Sequence, residues 1–420
     1  MLGGLAKSSL KTLLVMGLRI FTQAGTLILV ARLLSPGLYG HYVALVSLAV
    51  LLGILPTLGI AFVMLQRAHE GKQAIEDIWR YAWPLVLVLG VGLFLMYLLL
   101  VNFLFDDLVF GWWFVVGLGV IEIVFMPFVT LCGASFQAID RVPYAQLLQW
   151  IPVGARLLVV FPCFGVDAYY TLDVFIVLQV AAVGISLAII LLITRNKFTL
   201  FAMPRWISLA EFHQSSSYCA MHFIAISPAE IDKIVLPQFI SAHDVGIYAG
   251  TSRVLNALMT PVIAMLLASQ PRLFRYVADH SRNNVSRLSI HLVAWAVFLG
   301  LFAMLILTVT SSILPYLFGE RYGDMVAFAP ILAFAALPIA LRISGGTLLV
   351  ALGHPVQRTI FEIAGIVTLL LCIAIFVPGH GLYGAAIALI MAESLMAVMG
   401  CILVFRAQKS LGAKDPGQQR

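Results

Sequence analysis

The stretch EFHQSSSYCAMHFIAISPAEIDKIVLPQFISAHDVGIY, running from Glu211 to Tyr248, decides the fold. The part before Pro237 is long enough to cross a bilayer, yet it carries His213, Gln214, Ser215, Ser216, Ser217, Tyr218, His222, Ser227, Glu230, Asp232 and Lys233. A lipid-facing helix cannot hold that set, because ionisable groups at membrane depth face a bundle interior or water. The end of the stretch, Ser241-Ala-His-Asp-Val-Gly-Ile-Tyr248, echoes Ser35-Pro-Gly-Leu-Tyr-Gly-His-Tyr42 near the N-terminus. A wet span beside a repeated tag implies two related bundles around a hydrophilic interior.

Working outward, the 420 residues are 62% hydrophobic and 10% charged, with a mean hydropathy of +1.04. Soluble chains carry roughly a quarter charged residues, and apolar runs of about 20 residues, enough for a membrane helix, recur from end to end. Twelve spans are expected, near 12–34, 39–65, 81–103, 112–137, 144–163, 172–194, 210–237, 245–270, 289–314, 325–350, 358–378 and 382–405. The fold class is therefore an all-α polytopic membrane protein, with no loop long enough for a soluble domain. Pro56, Pro84, Pro127, Pro152, Pro261 and Pro338 are expected kinks, tolerated where neighbouring helices satisfy the freed backbone. Cys132, Cys163, Cys219, Cys372 and Cys401 lack metal-ligand spacing and read as buried thiols. The first apolar run is too long for a cleaved signal and reads as a retained helix.

Twelve spans put both termini on one side, and the positive-inside rule chooses the cytoplasm. Eighteen Lys and Arg then fall on the cytoplasmic side, among them Lys7, Lys11, Arg205, Arg275, Lys414 and Arg420, against Arg32 and Arg321 opposite. The far side instead collects acids such as Asp106, Asp107, Asp167 and Asp244. The net charge of +6 thus reflects topology and needs no nucleic acid; the basic loops suit anionic membrane lipids. Aligning Gly40-His-Tyr42 on Gly246-Ile-Tyr248 offsets the chain by about half its length, with each tag between the first and second spans of its half. Six spans per half, an even number, require parallel repeats related by an axis along the membrane normal. The expected division is an N-terminal lobe at 1–197, a linker at 198–208, a C-terminal lobe at 209–408 and a tail at 409–420.

These residues resemble a family. Arg32-Leu-Leu-Ser-Pro-Gly-Leu-Tyr-Gly-His-Tyr42 followed by Leu58-Gly59-Ile60 looks like the opening of the polysaccharide (O-antigen, Wzx-type) flippases of the MATE-like MOP superfamily. Asp232-Lys-Ile-Val-Leu, Val245-Gly-Ile-Tyr248 and Pro271-Arg-Leu-Phe274 carry the likeness into the second half. The resemblance implies a V-shaped pair of six-helix lobes around a central cavity. It also implies alternating-access transport of undecaprenyl-pyrophosphate-linked oligosaccharide across the bacterial inner membrane. The partners it implies are that lipid-linked oligosaccharide, a polysaccharide polymerase and a chain-length regulator.

Five basic side chains lie within expected spans: Arg19, Arg156, Lys233, Arg253 and Arg342. An Arg or Lys central in a membrane helix costs roughly 2.5–3.5 kcal/mol even on lenient scales. Arg19 stands ~11 Å into the first span. Arg binds phosphate oxygens in a bidentate fork, so Arg19, Arg253, Arg156 and Arg342 are the candidate pyrophosphate ligands. The family's tendency to basic residues on its first and eighth helices singles out Arg19 and Arg253. The alternative for each is an Arg–Glu pair that fixes helix packing. Lys233 reads as a snorkelling or interfacial charge.

Asp232, Glu230, Glu362 and Glu393 are the candidate ligands of a coupling ion, H+ or Na+, and no other cofactor is implied. Asp232 has a second reading as the counter-charge of Arg253 or Lys233. His213 and His222 read as polar lining, with proton carriage the alternative. Tyr42, Tyr248, Trp112, Trp113 and Trp79 read as an interfacial belt. Asn284-Val-Ser286 fits a glycosylation pattern but falls on the cytoplasmic side.

The chain contains no P-loop, HExxH, G-x-S-x-G or metal-ligand cluster and lacks the large periplasmic loop of a glycan polymerase or ligase, so it reads as no enzyme. A MATE-type exporter of organic cations is the nearer rival; its cavity should be anionic, whereas basic candidates here at least match acidic ones. A peptidoglycan-precursor flippase should carry two further helices.

Overall fold

A computed structural model describes residues 2–105, 109–165, 171–278 and 282–411. Asp106, Asp107, Asp167, Lys414 and Arg420, used in the orientation argument, lie outside them. Among the described residues nine helices are long and apolar enough to cross a membrane. The last, Pro355–Leu411, holds two spans, because Gly381 at φ 53° and ψ −131° interrupts it. Gly365 abuts Met396 across that break, so the two limbs fold back on each other. Leu2–Leu33 and the polar seventh segment, opening at Leu209–Ile226, complete the expected twelve.

The chain divides into two compact units, Met1–Ile234 and Val235–Arg420. The boundary thus falls in the last turn of the seventh span and not at the expected 198–208 linker. The physical reason lies in the second span. Leu58 and Gly59 take left-handed φ values of 43° and 70°, ending Pro36–Ile54 with the turn Leu55–Thr57 and restarting the helix as Ile60–Gln66. A Cβ on Gly59 would stand 2.6 Å from both the Ser215 carbonyl oxygen and the Cys219 amide nitrogen. The seventh span therefore packs backbone against backbone on the first unit, an approach that glycine alone permits.

Within this unit the fourth span runs Trp112–Gly119, a π turn Val120–Phe125, then Met126–Ala138. Gly53 of the second span abuts the Glu122 carbonyl at that π turn. Trp79, expected in the interfacial belt, is instead fully buried and donates from Nε1 to Ser135 Oγ at 2.8 Å. Burying a large ring is stable once its N–H finds an acceptor. Trp112 and Trp113 are exposed, as belt residues should be, and Leu95, Leu99 and Phe103 turn outward along Lys72–Leu104. Water would not tolerate so long an apolar face, but lipid does.

The second unit repeats the opening of the first. Ser241 caps Ala242–Leu258 by accepting the Asp244 amide at 3.2 Å, as Ser35 caps Pro36–Ile54 by accepting the Leu38 amide at 3.4 Å. The shared tag is thus a shared helix start. Tyr248, a second expected belt residue, is wholly buried and faces Phe328 with ring centroids 6.2 Å apart. Helices approach closely at Gly345 and Gly400, the small-residue contact that membrane bundles favour. Cys401 is exposed, unlike the other four thiols; a lipid-facing position leaves a thiol as much in an apolar medium as a core does.

Breaks follow the prolines. Pro56 lies in the turn Leu55–Thr57, Pro127 follows the π turn, Pro261 opens Thr260–Ala278, and Pro338 lies just after the turn Ala333–Ala335. Pro84 and Pro152 stand inside continuous helices.

Candidate functional site

Arg19 is half-buried on Leu2–Leu33, and its Nη1 donates to Gln149 Oε1 on Val142–Leu158 at 3.0 Å. One turn further along, Trp150 Nε1 donates to Thr22 Oγ1 at 3.0 Å, so two hydrogen bonds join the first and fifth spans. A Cβ on Gly133 would stand 2.6 Å from Gln149 Nε2; the glycine leaves the amide its room. The consequence is electrostatic. A neutral amide orients the guanidinium without cancelling its charge.

The other intramembrane arginines whose partners are resolved, and Arg358 at the start of the eleventh span, meet carboxylates. Arg156 Nη1 donates to Glu122 Oε1 at 2.7 Å, from the fifth span to the π turn. Its Nε and Nη2 are buried without a hydrogen-bond partner among the described residues. Arg342 Nε donates to Glu393 Oε2 at 2.6 Å, and Arg358 Nε to Glu362 Oε1 at 2.9 Å, one turn away. Arg253 stands half-buried on Ala242–Leu258 in the second unit.

The coupling-ion candidates are placed as follows. Glu362 and Glu393 accept from the arginines just named. Asp232 takes Lys233 Nζ at 2.9 Å, with both side chains almost wholly buried, and Lys233 Nζ also reaches the Ala229 carbonyl at 2.6 Å. Lys233 is therefore not the snorkelling charge expected of it. The break at Ser227–Ala229 presents a carbonyl that holds the ammonium inside. Glu230 Oε2 accepts Ser47 Oγ at 2.6 Å from the second span.

The seventh span's entry is built by a capping box, Ser208 with Glu211, which fixes its first turn. Arg205 then clamps it. Its Nη2 reaches Glu211 at 2.6 Å and Asp77 at 2.9 Å, its guanidinium lies 4.5 Å over the Tyr81 ring, and its amide donates to the Arg80 carbonyl. The hydrogen bond to Glu211 holds the Arg205 guanidinium above its ordinary value. Arg67 pairs with Glu70 at 2.7 Å, and that hydrogen bond holds the exposed Glu70 carboxyl below the usual carboxylate range. Arg205→Ala should raise hydrogen exchange across 198–212 with only a small loss of thermal stability, since exposed pairs contribute about 0–1 kcal/mol each. Unchanged exchange there would show that the clamp does not hold the linker.

Further along, Gln66 Oε1 accepts both Gln214 Nε2 at 2.7 Å and the Tyr218 hydroxyl at 2.9 Å. Sequence reasoning missed Gln149, Gln66 and Arg205. The signal for the first was a second polar residue, three after Gln146, in an apolar run. The other two lay at span ends, where polar residues are ordinary.

Comparison with known proteins settles the family. A family model described as "Polysaccharide biosynthesis protein" matches residues 5–277. The chain belongs to that family. A 170-residue stretch is 28% identical to the "Capsular polysaccharide biosynthesis protein CapF" of Staphylococcus aureus, covering 39% of this chain and 41% of CapF. The fold is similar to a solved structure described as the "inward-facing conformation of a multidrug resistance MATE family transporter of the MOP superfamily". That likeness has a TM-score of 0.77 at 14% identity over 94% of this chain and 96% of that one. It is also similar to a MOP superfamily transporter from Pyrococcus furiosus Vc1 (DSM3638), described as having a binding pocket of reverse polarity. There the TM-score is 0.66 at 13% identity, covering 97% and 96%. The resemblance to Wzx-type flippases and the MATE-like twelve-helix fold are borne out. This family member is a multi-pass membrane protein with the fold of transporters.

Proposed function

We propose that the protein is a flippase that moves undecaprenyl-pyrophosphate-linked oligosaccharide across the bacterial inner membrane by alternating access. One observation carries this reading: at membrane depth Arg19 is held by the neutral Gln149 side chain. Arg156, Arg342 and Arg358 instead have their carboxylates at 2.7, 2.6 and 2.9 Å. A guanidinium kept uncancelled in a low-dielectric setting suits a transient anion, and a pyrophosphate accepts its fork of N–H groups. Arg253 is the second phosphate ligand in this reading, on the eighth span. Arg156 and Arg342 act as packing pairs. The basic loops set both termini in the cytoplasm, and polymerase and chain-length regulator act on the product.

Transport against a gradient needs coupling, and H+ or Na+ is the driving ion. Asp232, Glu230, Glu362 and Glu393 are the candidate coupling carboxylates: Glu230 accepts from the Ser47 hydroxyl, and the other three meet Lys233, Arg358 and Arg342.

The test is flipping in proteoliposomes. Lipid-linked oligosaccharide is incorporated, and its glycan is followed as it becomes accessible to added lectin. Wild-type vesicles should expose glycan faster than protein-free ones and slow when a proton or sodium gradient is collapsed. Equal rates with and without protein would overturn the flippase reading; rates indifferent to both gradients would overturn the coupling.

A further inference from the structure

The first unit carries a second polar feature, distinct in chemistry from the arginines. On Leu209–Ile226, Gln214, Tyr218 and His222 succeed one another at four-residue spacing, so they share one face over about 12 Å. Opposite them stand Phe62 and Gln66, one turn apart on Ile60–Gln66. The Phe62 and Tyr218 rings stack with centroids 5.7 Å apart, and His222 meets Phe62 edge-on at 5.5 Å. Phe62 is 39% exposed, and the polar bonds beside it are also exposed. The left-handed break at Leu58 and Gly59 aims these last turns of the second span at the seventh.

The bonding within this group leaves a specific remainder. Gln66 Oε1 takes both internal donors, which leaves the Gln66 amide N–H groups and Gln214 Oε1 as a donor and an acceptor unspent in these bonds. A neutral amide pair of that kind matches a sugar hydroxyl, which donates and accepts at once. The negative faces of the rings match the polarised C–H face of a pyranose. Phosphate is a poor fit: the nearby Arg67 already answers Glu70 and Glu211, at 2.7 and 3.9 Å. Lipid is a poor fit as well, because exposed amides and phenols at membrane depth require water.

We propose that Phe62, Gln66, Gln214, Tyr218 and His222 form a glycan subsite, which holds sugar residues of the cargo apart from the cationic site for its pyrophosphate. This rests on the flippase reading, whose orientation puts the subsite on the cytoplasmic half of the first unit, where cargo loads. Division of labour follows: charge holds the lipid head, and the ring-and-amide shelf reads the glycan.

Two probes separate the contributions: undecaprenyl pyrophosphate bare, and the same lipid bearing one oligosaccharide repeat unit. Native mass spectrometry of the full chain gives the affinity for each. The wild type should bind the glycosylated lipid more tightly. Tyr218→Ala should weaken it about tenfold, or 1.4 kcal/mol, leaving the bare lipid unchanged. Gln214→Leu, which keeps the helix face and volume, should show a smaller loss of the same kind, and Tyr218→Phe should retain most of the affinity. Wild-type affinities that are equal for both probes, or variants that weaken both alike, would overturn the subsite. Failure of the wild type to bind either probe above phosphatidylglycerol would overturn the flippase reading itself, and the subsite with it.

Discussion

Arg19→Ala abolishes surface polysaccharide while the protein still reaches the membrane at normal level and melts at its usual temperature. The expectation has two halves, and each comes from the partner of Arg19. Its side chain is held by Gln149 at 3.0 Å, so removal strands no carboxylate, and the neighbouring Trp150–Thr22 bond still joins the same helices. Taking away a desolvated charge that has no counter-ion among the described residues removes a cost and not a support. Function is the opposite case. A hydrogen bond to a charged group contributes about 1.5–3 kcal/mol, so losing the phosphate contact lowers cargo affinity roughly tenfold to a hundredfold. Arg19→Lys keeps the charge but loses the fork and should fall between. Quantified surface glycan, membrane immunoblotting and a thermal melt check all three claims. Retained export in Arg19→Ala, and likewise in Arg253→Ala, would remove the cationic-site argument.

The converse experiment concerns Arg342 and Glu393. Their bond at 2.6 Å joins side chains that are 13% and 3% exposed, so each single substitution removes one member of a buried ion pair. Glu393→Met or Arg342→Met should cost about 3–5 kcal/mol of stability, whereas the double variant with methionine at both positions should recover most of it. A double-mutant cycle on thermal unfolding in detergent or nanodiscs measures the coupling. The recovered double variant should also transport. If it folds but fails to export, the pair acts on cargo, and its assignment to packing falls.

The sequence made the spans legible because each needs its own run of apolar residues, and that pattern is local. The repeat was legible for the same reason: Ser35 and Ser241 are helix caps, and a cap is written in four consecutive residues. Pairing was not legible. Arg156 meets Glu122, 34 residues away, and Arg342 meets Glu393, 51 away, and nothing local says which acid a given arginine finds. The environment of Trp79 and Tyr248 was misread because an aromatic near a span end looks alike whether it faces lipid or core. Leu58-Gly59-Ile60 was visible as a motif, but its left-handed turn was not. That turn moved the boundary between the units by drawing the seventh span onto the first.

That boundary bears on how the chain is made. Membrane proteins are threaded out from the N-terminus, so six helices emerge while Gly59, Phe62 and Gln66 still lack the segment that covers them. The nascent half is therefore unfinished until Ile234 has left the ribosome. The capping box at Ser208 and the Arg205 clamp stand at the leading edge of the piece that completes it.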